Sequence, residues 1–130
     1  MIERILVIFD GSTASDDAIT KAIELANSDD KGIYILGIAS DVSRPSSPKD
    51  AQHITEGLTA LGRLCQKMGI DVDGEYFGAA TERALREFIA THAFSELILA
   101  QEQLSLRSSN NAHVLAALAA SSPVKTTVLS

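Results

Sequence analysis

An acidic residue, a glycine and a serine follow the first apolar run of the chain. Asp10, Gly11 and Ser12 come directly after Ile-Leu-Val-Ile-Phe at positions 5–9. A carboxylate at the end of a strand can accept a hydrogen bond from a ribose hydroxyl or an adenine amino group, and glycine lets a ligand approach the backbone. The same residues also suit a turn in which Asp10 or Ser12 bonds to nearby amides. The sequence leaves both interpretations open.

Other reactive side chains lack the neighbours that their chemistry requires. The chain contains neither a P-loop nor a GxGxxG pattern, and Ser12 lies outside a G-x-S-x-G motif, which argues against Walker-type, dinucleotide and serine-hydrolase sites. A receiver domain is also excluded, because Asp10 lacks a carboxylate neighbour and the third strand ends without an acceptor aspartate. His53, His92 and His113 have no second histidine or cysteine three or four residues away, so surface or helix-end roles are expected.

Composition indicates one cytoplasmic domain. The 130 residues are 45% hydrophobic and 22% charged, typical of a globular protein, and the net charge of −6 opposes binding to nucleic acid or to an anionic membrane. The apolar run Ile5 to Phe9 is too short for a leader or a membrane span. Cys65 is the single cysteine, so no internal disulfide forms, and its place on an apolar helix stripe predicts a buried structural thiol.

The elements that position Asp10 follow from hydrophobic periodicity. Short apolar runs alternate with helical patterns, which predicts βαβ units and a parallel sheet. In the third strand Asp71, Asp73 and Glu75 alternate with Val72, Gly74 and Tyr76, and one polar face favours an edge position. The predicted strands are Arg4–Phe9, Ile33–Ala39, Ile70–Phe77, Leu97–Ala100 and Thr126–Leu129.

Capping residues and apolar stripes predict four helices. The first begins near Ser15 and buries Ala18, Ile19, Ala22, Ile23 and Ala26. The second has Ser47 as its cap, Pro48 in its first turn and Gly69 as its stop, and buries Ala51, Ile54, Leu58, Leu61, Cys65 and Met68. The third, from about Ala80 to His92 with Thr81 or a neighbour as cap, buries Leu85, Phe88 and Ile89. The last, near Asn111–Ala120, presents Val114, Leu115 and Leu118.

These elements predict an open doubly wound sheet whose ligand crevice lies where the winding reverses. If the first strand is central, the crevice lies between the loops that follow the first and fourth strands. Those loops are Asp10–Ser15 and the polar part of Leu97–His113. A third connection, Ser40–Asp50, reads as a mobile β–α loop.

The segment Ile5–Ala26, ILVIFDGSTASDDAITKAIELA, closely resembles the amino-terminal signature of universal stress proteins. Weaker similarity continues through GIDVDGEYFGAATERALREFI, SELILA and SSPVKTTVL. The resemblance implies a sheet ordered 3-2-1-4-5. It also implies a homodimer formed through the fifth strand, here Thr126–Leu129, a β-branched edge that gains hydrogen bonds by pairing.

The chain matches only part of the family's nucleotide-binding pattern. Family members that bind ATP use the aspartate after strand one, a hydrophobic residue near the end of strand two and a loop patterned G-x2-G-x9-G-[ST]. Asp10 and Ile38 match the first two elements, but residues 79–130 contain no glycine and the loop is shorter. By position, Gln101 and Leu104 replace the first two glycines, and Asn110-Asn111 the last pair.

Side chains at those positions restrict approach of phosphate to the backbone. Arg107 and the amides near Asn111 remain the available anion-binding groups. The expected function is therefore a dimeric stress-response or regulatory module that acts through protein contacts, without a cofactor and without turnover. The first alternative is a member that binds or weakly hydrolyses ATP, or binds AMP, through Asp10 and a modified loop. The second is a small-molecule-binding α/β domain or enzyme.

Overall fold

The computed structural model describes residues 3–45, 47–78, 81–105, 107 and 110–129. In this part of the chain, strands and helices alternate from end to end. The elements are β1 Arg4–Phe9, α1 Thr13–Asp29, β2 Gly32–Gly37, α2 Pro48–Lys67, β3 Val72–Tyr76, α3 Glu82–Thr91, β4 Phe94–Ala100, a 3-10 helix Gln101–Leu104, α4 Ala112–Ser121 and β5 Thr126–Leu129.

The five strands form one parallel sheet in the order β3-β2-β1-β4-β5, as expected. The central strand β1 pairs with β2 from Arg4↔Gly32 to Phe9↔Gly37 and with β4 on its other side. Every residue of β2 is buried, whereas the three middle residues of β3 are exposed, which confirms the predicted edge position of β3. The winding reverses between β1 and β4, so the crevice is expected beside Asp10.

Each face of the sheet carries its own apolar core. Helices α1 and α2 cover one face, where Ile19 and Ile54 pack with alternate residues of β1 such as Val7. Helices α3 and α4 cover the other, where Leu85 and Leu115 join the remaining β1 side chains. Alternation along a strand buried on both faces explains why β1 reads as an uninterrupted apolar run.

The capping prediction is wrong for α1 and confirmed for α2 and α3. The N-cap of α1 is Ser12, three residues before Ser15, and Ser15 is instead buried with its hydroxyl donating to the Ser12 carbonyl oxygen at 2.8 Å. Ser47 and Thr81 accept hydrogen bonds from backbone amides three residues later, as their sequences indicate. The predicted stripes of α1 and α3 are buried, as are Leu115 and Leu118 of α4, whereas Val114 is half-buried. The prediction for α2 is wrong in part: Ile54 and Cys65 are buried, Ala51, Leu58 and Leu61 are half-buried, and Met68 is 45% exposed.

Strand bounds differ modestly from the expectations. Strand β4 begins at Phe94, three residues before the predicted start, and β3 is confined to Val72–Tyr76. The fifth strand has the predicted bounds. Ala80, the predicted opening of the third helix, lies outside the described residues. No helix within the described residues is long and apolar enough to cross a membrane.

Candidate functional site

Asp10 lies at the carboxyl end of β1 and is held by the residue that caps α1. Its side chain is only 3% exposed, and its Oδ1 accepts hydrogen bonds from the Ser12 amide at 3.0 Å and the Ser12 hydroxyl at 2.5 Å. The Ser12 hydroxyl in turn accepts from the Ser15 amide at 3.2 Å. Gly11 between them has φ +82°, and a Cβ there would lie 3.2 Å from Ile54 Cδ1. This left-handed backbone explains the glycine.

Asn111, just before α4, contacts the other carboxylate oxygen of Asp10. Its Nδ2 donates to Asp10 Oδ2 at 2.9 Å and to the Ala39 carbonyl oxygen at 3.0 Å, while its Oδ1 accepts from the Val42 amide at 2.8 Å. The Asn111 side chain is fully buried. One amide group therefore joins the loops after β1 and β2 to the start of α4.

Gln103 connects β1 with the carboxyl end of β4. The fully buried side chain donates from Nε2 to the Ile8 carbonyl oxygen at 3.0 Å and accepts at Oε1 from the Ala100 amide at 2.8 Å. Gln101, which sequence position favoured, is exposed at the start of the 3-10 helix, and Leu104 packs against the core on the α3 and α4 face. The sequence did not indicate Gln103, because the 3-10 turn determines where its side chain points.

The remaining predicted site residues, Ile38 and Asn110, differ in burial. Ile38 is fully buried in the α3 and α4 core, and its amide donates to the Phe9 carbonyl oxygen at 2.9 Å. Asn110 is exposed and lines a polar depression of about 410 Å³ together with residues 39–41 and 44–45 of the loop after β2. The structure thus brings Asp10, Ser12 and Asn111 into contact and leaves Asn110 at the surface.

The Asp41 carboxylate beside this depression is held in its charged form. The hydroxyl and then the amide of Ser43 donate to it, and Arg44 lies 3.4 Å away, so the pKa of Asp41 is below its ordinary value. Arg107, the candidate phosphate-binding cation, is exposed, and its backbone amide donates to the Ser105 hydroxyl at 3.3 Å.

Both carboxylate oxygens of Asp10 have hydrogen-bond partners within the chain. Ser12 donates to Oδ1 and Asn111 donates to Oδ2 of this buried group. Among the described residues, no buried side-chain nitrogen or oxygen lacks a hydrogen-bond partner. The polar groups of the crevice are therefore satisfied by one another.

The sequence model of the universal stress protein family matches residues 1–128. The chain belongs to the universal stress protein family. No curated protein matches it in sequence.

Solved universal stress proteins share this fold. One in complex with cAMP is 21% identical, with a TM-score of 0.72 over 98% of this chain and 96% of that chain. One from Archaeoglobus fulgidus in complex with dAMP is 11% identical, with a TM-score of 0.72 over 100% and 98%. One from Arabidopsis thaliana with AMP bound is 14% identical, with a TM-score of 0.69 over 98% and 90%. These comparisons confirm the architecture predicted from the sequence.

The described residues contain no cluster of metal-ligating side chains and no exposed thiol. No group of three or more His, Cys, Asp and Glu side chains could hold a metal ion within this part of the chain. Cys65 is a buried free thiol, as predicted, and burial raises its pKa. A buried thiol of raised pKa is a weak nucleophile.

Proposed function

We propose that this universal stress protein acts through contacts with other proteins and does not hold an adenine nucleotide in the usual crevice. The observation that carries the proposal is the buried hydrogen bond between Asn111 Nδ2 and Asp10 Oδ2, at 2.9 Å. It gives the family's nucleotide-recognising aspartate an internal partner. In this role the domain turns over no substrate.

Displacing Asn111 is energetically costly. A nucleotide that reached Asp10 would have to break the hydrogen bonds that Asn111 donates to Asp10 and Ala39 and the one that it accepts from the Val42 amide. Buried groups left without partners cost about 1–3 kcal/mol each, more when one is charged. Gln103 adds a second obstacle, since its side chain links β1 to the end of β4.

Calorimetric titration of the purified protein with ATP, ADP and AMP, with and without magnesium, tests this proposal. We expect no heat of binding at micromolar nucleotide. The matched variants are Asp10→Ala, which removes the recognising carboxylate, and Asn111→Gly, which removes its internal partner. Micromolar binding by the native protein that disappears in Asp10→Ala would overturn the proposal.

Nucleotide binding with Asn111 swung aside is the second candidate function. It is favoured by the solved relatives, whose complexes contain cAMP, dAMP or AMP. It predicts that the native protein and Asn111→Gly both bind AMP in the same titration. The leading proposal predicts that the native protein does not bind AMP in this titration.

We further propose that two copies pair through β5, residues Thr126–Leu129. This strand lies at one edge of the sheet, and Val128 on it is 44% exposed. Pairing would satisfy edge hydrogen-bonding groups and cover the valine. Native mass spectrometry should show a dimer that Val128→Lys weakens, whereas a monomer at high micromolar concentration would contradict the pairing.

A further inference from the structure

The sheet has two edges, and the strands at these edges differ in charge. Strand β3 lies at one edge and β5 at the other. The three middle residues of β3 are exposed and include Asp73 and Glu75, whereas the four residues of β5 carry no charge. An edge strand offers backbone amides and carbonyls to a second strand, including one from another copy of the chain. The two edges therefore present different surfaces to a second copy.

The backbone groups of β3 alternate between the neighbouring strand β2 and the open edge. The Asp71 carbonyl oxygen accepts from the Ile33 amide at 2.8 Å, and the Phe77 amide donates to the Gly37 carbonyl oxygen at 2.7 Å. Successive residues of a strand direct their backbone groups to opposite sides, so the amide of Gly74 points away from β2. A second strand added at this edge would have to pair with that amide.

The Gly74 amide already has an acceptor within the chain. It donates to Asp73 Oδ1 at 2.8 Å, so the carboxylate of the preceding residue covers the central amide of the edge. Hydrogen bonds to a charged acceptor are stronger than those between neutral groups. A pairing strand would therefore have to displace the Asp73 carboxylate from the position that its own carbonyl oxygen needs.

The acidic side chains of β3 share one face of the sheet. Val72 and Tyr76 pack against the core beneath α1 and α2, whereas Glu75 accepts a hydrogen bond from the Tyr34 hydroxyl on the α3 and α4 face. Alternation places Asp73 on the same face as Glu75. Residues opposed across two strands lie on one face. Two antiparallel β3 strands, related by a two-fold axis perpendicular to the sheet, would therefore oppose carboxylates to carboxylates.

Arg4 pairs with this face but neutralises only part of its charge. Its guanidinium bonds to Asp71 Oδ2 at 2.8 Å and lies 3.9 Å from Asp73 Oδ2. Arg63 belongs to α2, which covers the opposite face of β3. One guanidinium thus faces the three carboxylates of Asp71, Asp73 and Glu75. Like charges opposed across strands destabilise their pairing.

We propose that Asp73 and Glu75 close the β3 edge to strand pairing and so confine self-association of this chain to the β5 edge. Asp73 occupies the central amide of the edge, and both carboxylates repel a second copy. A chain that paired at both edges would extend into a continuous sheet, whereas a single open edge produces a closed pair. The role of the open edge rests on the β5 pairing proposed above, but the closure of β3 does not.

The test is sedimentation velocity of Val128→Lys with and without Asp73→Thr and Glu75→Gln. Val128→Lys weakens pairing at β5, so association gained in its presence reports on β3. Threonine favours a strand and leaves the Gly74 amide without its carboxylate, while glutamine removes charge and retains an oxygen acceptor for the Tyr34 hydroxyl. We expect the triple variant to dimerise with a dissociation constant about tenfold below that of Val128→Lys. A triple variant that associates no more tightly than Val128→Lys would overturn the proposal.

A charge-matched control separates closure of β3 from a general effect of net charge. Asp17→Thr with Glu24→Gln makes the same changes at exposed positions of α1. In the Val128→Lys background this control should leave the dissociation constant unchanged, and association equal to that of the β3 substitutions would contradict the closure. Hydrogen exchange locates the contact, because the Gly74 amide of the triple variant should exchange more slowly as the protein concentration rises. Exchange independent of concentration would place the contact elsewhere and refute the assignment.

The same measurements distinguish failure of this inference from failure of the β5 pairing. A native protein as monomeric as Val128→Lys would overturn the β5 pairing, while association gained by the β3 substitutions would still support the closure of β3. A native dimer that Val128→Lys weakens, together with no gain from the β3 substitutions, would overturn the inference alone.

Discussion

The side-chain amide of Asn111 lies 2.9 Å from the buried carboxylate of Asp10, 101 positions away in the sequence. The contact joins the end of the central strand to the start of the last helix. Because the Asn111 side chain also bonds to Ala39 and Val42, it ties the loop after β2 to the same point. The amide thus connects three segments of the fold at the carboxyl end of the central strand.

Asn111→Ala should lower the free energy of unfolding by about 2–4 kcal/mol. It removes hydrogen bonds to Asp10, Ala39 and Val42, and a buried carboxylate that loses a donor is the costliest of these losses. Urea denaturation followed by circular dichroism measures the change. His113→Ala, at an exposed position two residues later, is the control and should alter stability by less than about 0.5 kcal/mol. Equal effects of the two substitutions would argue against the network.

Alanine at the two helix-interior glycines of α2 should have opposite effects. Gly62→Ala should raise stability by about 0.5–1 kcal/mol, because its Cβ enters open space and helix propensity improves. Gly57→Ala should lower stability by about 1–3 kcal/mol, because its Cβ would lie 2.6 Å from the buried Phe9 ring. Chemical denaturation of both variants provides the comparison, and a stabilising Gly57→Ala would refute the described packing of α2.

Tyr34 should make stability fall at alkaline pH. Burial, and then the hydrogen bond from its hydroxyl to Glu75 Oε1 at 2.9 Å, raise the pKa of Tyr34 well above its ordinary value of 10.0. Above about pH 10 the unfolded chain loses this proton while the folded chain retains it, so the free energy of unfolding decreases. Tyr34→Phe should therefore be less stable than the native protein at pH 8, with the difference shrinking above pH 10. A constant difference would contradict the raised pKa.

Cys65 should react with a thiol reagent only when α2 leaves the sheet. The thiol is fully buried in the core beneath α1 and α2, and burial raises its pKa. Labelling with a chromogenic disulfide reagent should be slow in the native protein and should reach one thiol per chain in urea. Rapid labelling under native conditions would show that α2 does not pack as described.

The sequence predicted the architecture well because local patterns determined most of it. Apolar runs marked the strands, and Ser47 and Thr81 marked helix starts through the same amide hydrogen bonds that the structure contains. The predicted start of α1 was wrong because Ser12 and Ser15 are both suitable N-cap residues. Only the bonds from Ser12 to Asp10 select the earlier serine.

The candidate site was less predictable because its contacts are tertiary. Sequence position aligned Gln101 with a lost glycine, yet the 3-10 turn directs Gln103 inward to the Ile8 carbonyl oxygen. Asn111 was recognised as a replacement for glycine, but its contact with Asp10 depends on how α4 docks beside β1. The hydrophobic periodicity of strands and helices does not indicate where the Gln103 and Asn111 side chains point.

The most direct test of the closed crevice is the side-chain amide signal of Asn111 in a ¹⁵N spectrum, assigned by its loss in Asn111→Asp and followed during an AMP titration. The account predicts amide protons that exchange slowly with solvent and do not shift at millimolar AMP, because Asn111 stays bonded to Asp10. A saturable shift of this signal with AMP, accompanied by faster solvent exchange, would show that the nucleotide displaces Asn111 and would contradict the closed crevice.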